Sequence, residues 1–296
     1  MRITDVYLKS IGPFMRYKEI FGLHTDDDRV LLTGISGSGK STALWAIAFL
    51  WRLLENPPPE ERDCCPGHLA MRVTGLPGGE TLIAWSSDSA FLAEIKTRHP
   101  QARFFTTDES APDALRGKLA GDLPNMILLD ADFHFAGRAK DFQNAWFLTD
   151  DDVKDDWPEA LSRLYRENKP CAGEVLRAAN RLLVDKKLVI DEAGQVQVEL
   201  TGSRRHGPFQ LSMGERHVAV ICFCAACCLK PGGVVLLDEP AAHLHPSQVI
   251  GLLTTLEGFC RRAGGQMLLV SHNPALWERY GELGLTVDLE AGHGDE

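Results

Sequence analysis

The feature that most constrains this chain is Gly34-Ile35-Ser36-Gly37-Ser38-Gly39-Lys40-Ser41, which has the spacing G-x-x-x-x-G-K-[ST]. It follows a short apolar run, Arg29-Val30-Leu31-Leu32-Thr33, and precedes a helix-patterned stretch from Ser41 to Leu54 that ends before Asn56-Pro57-Pro58-Pro59. A strand, a glycine loop and a helix in that order form a phosphate cradle. Glycines let backbone N–H groups curl around an anion, the helix start adds positive potential, Lys40 reaches the outer phosphates, and the Ser41 hydroxyl can ligate Mg²⁺. Gly34 to Thr42 are therefore the expected nucleotide contacts.

Three further segments carry chemistry. Val234-Val235-Leu236-Leu237-Asp238-Glu239 is a continuous apolar run ending in two acids, the pattern of a strand buried on both faces that presents carboxylates at the carboxyl edge of a parallel sheet. Asp238 is placed to hold Mg²⁺ through water and Glu239 to orient or deprotonate an attacking water. Leu211-Ser212-Met213-Gly214-Glu215 has S-x-x-E capping-box spacing. A hydroxyl at Ser212 and a side-chain-free Gly214 at an exposed helix start also make a second phosphate cradle, so Ser212, Gly214 and Glu215 join the expected nucleotide contacts. Val270-Ser271-His272-Asn273-Pro274 sets His272 after another apolar strand, where it can sense a terminal phosphate. Lys40, Glu239 and His272 are the expected catalytic residues, and Ser41 and Asp238 the expected metal ligands.

Around these motifs the chain reads as α/β. Ile3–Lys9 and Tyr17–Phe21, separated by a Gly12-Pro13 turn, suit an antiparallel pair. Short strands are expected at Leu69–Thr74, Thr81–Trp85, Arg103–Thr106 and Met126–Leu129, with a helix at Ala90–Arg98. Trp157–Val184 has helical spacing with Pro158 in its first turn, and the acidic residues ahead of it suit a helix entry. Leu188–Leu200 reads as a hairpin turning at Glu192-Ala193-Gly194, followed by a loop over Thr201–Pro208. Helix, strand, helix and strand then alternate from Met213 to Val270, as a parallel sheet requires. One domain over 1–296 is expected, with lobes at 1–135, 136–210 and 211–290.

A chain of 296 residues with 44% hydrophobic content can bury a sizeable core without disulfides. It has no run of about 18 apolar residues, and Met1-Arg2-Ile3-Thr4-Asp5 lacks the apolar stretch of a signal peptide. The expectation is a cytoplasmic protein without a membrane partner. A formal charge of −10 means that nucleic acid must be met by a local patch, with Arg204-Arg205-His206, Lys186-Lys187 and Arg261-Arg262 as candidates. Cys224-Ala-Ala-Cys227 has the spacing of a metal half-site, but no second pair completes it in the sequence. With Cys222 and Cys228 these residues read as small buried thiols, Cys171 and Cys260 as isolated ones, and no metal is assigned to them.

The order phosphate loop, Leu-Ser-x-Gly-Glu, apolar strand with Asp-Glu, then Ser-His resembles the ATP-binding-cassette superfamily of P-loop NTPases, from the first strand to about Pro274. Asp238-Glu239-Pro240-Ala241-Ala242-His243-Leu244-His245-Pro246, and a signature ending in Glu215 rather than Gln, look more like the RecF/SMC-like branch, which includes OLD-family nucleases and many prokaryotic defence ATPases, than like a transporter ATPase. The resemblance implies an ABC-type head: a mixed central sheet flanked by helices, an antiparallel β subdomain and a helical lobe. It also implies a homodimer or higher homo-oligomer joined head to tail, in which Ser212 and Gly214 of one chain contact ATP held with Mg²⁺ by Lys40 of the other, with His243 to His245 near the seam. A metal pair at His243 and His245 is the alternative for that segment.

The family's glutamine between the phosphate loop and Gln101 is absent, and Asp130-Ala131-Asp132-Phe133-His134 is its expected replacement. Neither a long coiled coil nor an appended nuclease is evident, so an effector nuclease or toxin is expected as a separate chain. The expected role is a nucleotide-gated switch for such an effector. The alternative is a RecF-like repair ATPase touching DNA through Arg204-Arg205, and an importer subunit ranks last.

Overall fold

A computed structural model of the chain describes residues 1–15, 18–22, 28–53, 67–76, 78–106, 124–130, 145–147, 151–202, 204–240, 244–283 and 285–289. The first third runs β1 (Arg2–Lys9), β2 (Lys18–Gly22), β3 (Arg29–Thr33), α1 (Lys40–Leu53), β4 (His68–Thr74), β5 (Thr81–Trp85), α2 (Ser89–Arg98) and β6 (Arg103–Thr106). The middle holds β7 (Met126–Asp130), β8 (Ala145–Phe147), α3 (Asp151–Glu167), α4 (Lys169–Asn180), β9 (Lys186–Ile190), β10 (Val196–Leu200) and β11 (Arg205–His206). The rest is α5 (Met213–Cys227), β12 (Val234–Asp238), α6 (Pro246–Ala263), β13 (Gln266–Val270), α7 (Pro274–Leu283) and β14 (Leu285–Asp288).

The central sheet has the order β14-β3-β13-β12-β7-β8 and is parallel throughout. Its inner strands β3, β13, β12 and β7 carry unbroken apolar stretches, Val30–Leu32, Met267–Val270, Val234–Leu237 and Met126–Leu129, because both faces are covered there. Alternate residues divide between two cores: Val30, Leu32, Leu128, Leu236, Leu268 and Val270 pack on the α1 side. Leu31, Leu129, Leu237 and Leu269 pack on the other side with α4, α5 and α6. A period of two along a strand allows nothing else once helices lie on both faces.

The second sheet, β2-β1-β4-β5-β6, is antiparallel apart from the β5/β6 pair. Gln266 ties it to the central sheet: its Oε1 accepts from Ile3 N at 2.8 Å and its Nε2 donates to Ile3 O at 3.1 Å. Those groups are fully buried, so losing the side chain would leave donors and acceptors unsatisfied at about 1–3 kcal/mol. A third, small sheet, β11-β10-β9, is antiparallel and packs with α3 and α4.

Three local expectations are corrected. Pro158 lies inside α3 rather than in a first turn, because the helix starts at Asp151 and accepts the loss of one backbone hydrogen bond at the proline. The single helix expected over Trp157–Val184 is two, broken at Asn168, whose Oδ1 caps α4 by accepting from Cys171 N at 3.2 Å. Part of the expected loop Thr201–Pro208 is a strand, since Arg205–His206 pairs with β10.

Candidate functional site

Strand β3 delivers the glycine loop to the carboxyl edge of the central sheet, and α1 begins at Lys40. Gly34, Gly37 and Gly39 all have positive φ, at 139°, 85° and 96°. Gly39 shows why that spacing tolerates no side chain. A Cβ there would lie 2.6 Å from Phe14 Cε2 and 2.7 Å from Pro13 Cγ, because the turn between β1 and β2 forms a wall behind the loop. Ser38 is buried within the loop, Ser36 and Ile35 face outward, and Thr42 sits beneath Gly12 of the same turn.

Lys40 is 4% exposed. Its ammonium donates to Gly34 O and Ile35 O, each at 2.8 Å, and to Ser38 Oγ at 3.4 Å. The cation is thus held over the concave side of the loop by carbonyls that an incoming phosphate oxygen can replace as acceptor.

We expect Gly39→Ala to lose about 2–4 kcal/mol of stability, from left-handed backbone strain together with overlap against Phe14 and Pro13. Gly37→Ala, whose added Cβ meets nothing within 4 Å, should lose only about 1 kcal/mol. Thermal unfolding of the two variants side by side checks the contrast; equal losses would mean that the turn does not press on the loop.

The central sheet order puts β13 between β3 and β12, so the ends of all three strands converge. Ser41 Oγ donates to Asp238 Oδ1 at 3.1 Å. Magnesium takes hard oxygen ligands and usually keeps several of its waters, so one hydroxyl and one neighbouring carboxylate, reached directly or through water, suit it. Ser41 and Asp238 therefore fit that ion in their proximity and their hard oxygen chemistry.

Glu239 has φ 46°, the left-handed region a non-glycine residue enters at a cost of about 1 kcal/mol or more. That conformation lets its N–H reach Val270 O at 3.0 Å while its carboxylate meets β13's end: Ser271 Oγ donates to Oε2 at 3.2 Å and His272 N donates to Oε1 at 2.9 Å. The His272 ring, about half exposed, brings Nε2 to 3.8 Å from Oε1. Ser271, fully buried, is held in turn by the Trp277 indole, whose Nε1 donates to Ser271 O at 2.7 Å.

The signature segment forms the start of α5. Ser212 Oγ accepts from Glu215 N at 3.3 Å and Glu215 Oε2 accepts from Ser212 N at 2.8 Å, so the capping box is complete. Lys186 Nζ also donates to Glu215 Oε2 at 2.8 Å. Burial pushes the Glu215 carboxyl up, but hydrogen bonds from Lys186 and Ser212 hold it below its ordinary value of 4.5. A carboxyl lowered on folding stabilises the fold above that value, and its contribution disappears as pH falls through the folded-state value. Ser212 is exposed, as is Met213 at 68%.

One relation between the two cradles governs what they can do. Helix α1 packs in the core on one face of the central sheet and α5 in the core on the other. The two helices therefore lie on opposite faces of the central sheet of one chain.

Other expected positions separate. His245 is the N-cap of α6, its Nδ1 accepting from Ser247 N at 3.4 Å and its backbone N donating to Gln248 Oε1 at 3.3 Å, which accounts for its place in the sequence without a metal. His243 and residues 131–134 lie outside the described residues; the backbone of Asp130 stands in register with Asp238 on β7. Cys171, isolated in the sequence, lies with its Sγ 3.3 Å from Cys227 Sγ, and burial pushes the Cys222 thiol up to about 12. The Phe14 wall, the Ser271 contact to Glu239 and the Lys186 tether on Glu215 were not foreseen; only Ser271 had a sequence signal, its place beside His272.

No described helix is long and apolar enough to cross a membrane. Residues 83–278, two thirds of the chain, match the family described as "AAA domain, putative AbiEii toxin, Type IV TA system". The matched span begins after the phosphate loop, so that loop stands on its own spacing and geometry. The SMC head domain from Thermotoga maritima is similar in fold, with a TM-score of 0.53, 17% identity, and coverage of 94% of this chain and 92% of that one. An SMC head crystallised with the C-winged helix domain of ScpA is similar with a TM-score of 0.53, 15% identity and the same coverage.

Among curated proteins, the thiamine import ATP-binding protein ThiQ of Histophilus somni (strain 129Pt) is 32% identical over 120 residues, 39% of this chain and 54% of ThiQ. That of Photorhabdus laumondii subsp. laumondii is 36% identical over 77 residues, 26% of this chain and 32% of that protein. The chain thus matches about half the length of the first relative and a third of the second.

Proposed function

The chain belongs to the AAA-domain family matched over residues 83–278, and from that membership and the site geometry we propose that it binds ATP with magnesium and hydrolyses it in a head-to-tail dimer that gates a partner protein. The observation that carries the dimer is the placement of α1 and α5 on opposite faces of the central sheet. A phosphate on the Lys40 loop is met by Ser212 and Gly214 when a second copy brings its α5 start across a twofold axis. Ile35 in one cradle and Met213 in the other are 67% and 68% exposed, apolar surface that such an interface would cover.

In this reading Gly34 to Thr42 cradle the triphosphate, Ser41 and Asp238 hold the ion, and the bound ion supplies charge neutralisation at the phosphates. Glu239 accepts the proton of the attacking water while Ser271 fixes its other oxygen, and His272 stands where it contacts the outer phosphate. All of 1–296 serves as one ATPase domain, with the 136–210 lobe carrying the coupling surface.

A separate effector, a nuclease or toxin, is the proposed partner. The DNA-binding alternative is weaker because each basic cluster is engaged in part: Lys186 with Glu215 at 2.8 Å, Arg205 with Glu199 at 3.0 Å and Arg262 with Glu174 at 2.5 Å.

The test is affinity purification from the native host with ATP present. Tagged Glu239→Gln should retain one partner in fixed stoichiometry that tagged Lys40→Ala does not. Both variants emerging free of any partner would refute the gating role.

A further inference from the structure

An open groove of about 550 Å³ lies between α3, α4 and β9, within the range of ligand-binding clefts. Its floor is apolar, from Leu176, Val189 and the neighbouring Ile190, and its rim is cationic, from Arg177, Arg181 and Lys187. All three cations are exposed, and among the described residues none pairs with a carboxylate. Glu199, which faces Lys187 across the hairpin, is held by Arg205 at 3.0 Å. Such an uncompensated cluster stands out in a chain of net charge −10.

Helix electrostatics explains only part of it. Arg177 lies in the last turn of α4 and Arg181 is its C-cap, where cations suit the helix end. Yet the two are spaced i, i+4, a like-charged pair that weakens a helix unless an anion bridges it. Lys187 is on a strand and gains nothing from the helix. The groove is also rigid at its centre: Asn180 donates from Nδ2 to Leu188 O at 2.9 Å and accepts at Oδ1 from Leu188 N at 2.6 Å, bolting β9 to α4. A fixed apolar slot with three converging cations recognises a ligand that carries an aliphatic side chain flanked by carboxylates.

We propose that this groove docks an acidic, aliphatic-anchored peptide segment of a partner protein. The inference rests on the gating role only for the partner's purpose. Nucleic acid fits less well: bases would meet an apolar floor, the ring of Tyr165 at the groove is taken by Lys169, whose Nζ lies 5.3 Å from its centroid, and the molecule's overall charge repels a polyanion.

The experiment displays a random short-peptide library against the full chain, wild type and Arg177→Glu/Arg181→Glu, with unfolding temperature and ATP turnover measured on both. Enrichment of sequences with acids flanking Leu, Ile or Val is expected. A synthetic peptide of the enriched sequence should bind the double variant more than about tenfold more weakly, with turnover unchanged. Should the double variant unfold early, Lys187→Ala and Arg177→Ala tested singly should each weaken the same peptide.

The proposal is overturned if no peptide is enriched, if the enriched peptides lack acids, or if the variants bind them as the wild type does. It is equally overturned if a single-stranded oligonucleotide binds the wild type, is lost in the variant, and no peptide is selected. Retained ATP turnover in any of these cases leaves the ATPase standing and removes only the groove.

Discussion

Glu239→Gln is expected to cut ATP turnover by about 10²-fold or more while leaving nucleotide affinity nearly intact. The carboxylate is held at both oxygens, by Ser271 Oγ and His272 N, and its backbone at φ 46° aims it at the gap between β12 and β13. A strained residue is retained at such a position when the direction of its side chain matters. Glutamine keeps the size, its Oε1 can still accept from His272 N and its Nε2 can donate to Ser271 Oγ, but it cannot take a proton from water, and loss of a positioned base removes about 10²–10⁴ in rate. With binding preserved and hydrolysis slowed, the ATP-bound state accumulates, so the variant should elute as a dimer in excess ATP and as a smaller species without it. Single-turnover hydrolysis and light scattering on the same sample read both effects. Turnover within a few-fold of wild type would remove Glu239 from the chemistry.

Lys40→Ala is expected to weaken ATP binding by about 10²-fold or more, because two or more charge-assisted bonds to phosphate, each worth about 1.5–3 kcal/mol, are lost together. The loop itself should survive better than the affinity does. Gly34 O and Ile35 O lose a donor, but Ile35 is exposed and water can replace the ammonium there, while the Gly39 contact with Phe14 and Pro13 persists. Calorimetric titration with ATP should therefore show the loss with little change in unfolding temperature. An unchanged affinity would mean that Lys40 keeps its loop carbonyls when nucleotide binds.

The elements around the site were legible because their physics is local. Strands buried on both faces are unbroken apolar runs with polar or glycine boundaries, so Arg29–Thr33, Thr81–Trp85 and Gln266–Val270 read to the residue. The S-x-x-E start of α5 and the loop before α1 carry their own chemistry in four and eight residues. What escaped depends on distant partners. The Asn168 break between α3 and α4 is a side-chain cap indistinguishable from a polar helix residue until the chain is folded. The strand Arg205–His206 exists only by pairing with β10, and Leu285–Asp288 only by pairing with β3. Phe14 reads as an ordinary turn residue, and its role behind Gly39 appears only when the two sheets meet.

In the proposed dimer one nucleotide site is made from two chains, Lys40 of one and Ser212 of the other. Lys40→Ala and Ser212→Arg should each be inactive alone, the second because a bulky side chain fills the exposed helix start. Mixed in equal amounts, half of randomly formed dimers carry one of each, and each such dimer has one intact site, so ATP turnover should return to about a quarter of wild type. Restoration near that level supports the shared site; a mixture as inactive as its components, with mixed dimers present by native mass spectrometry, contradicts it.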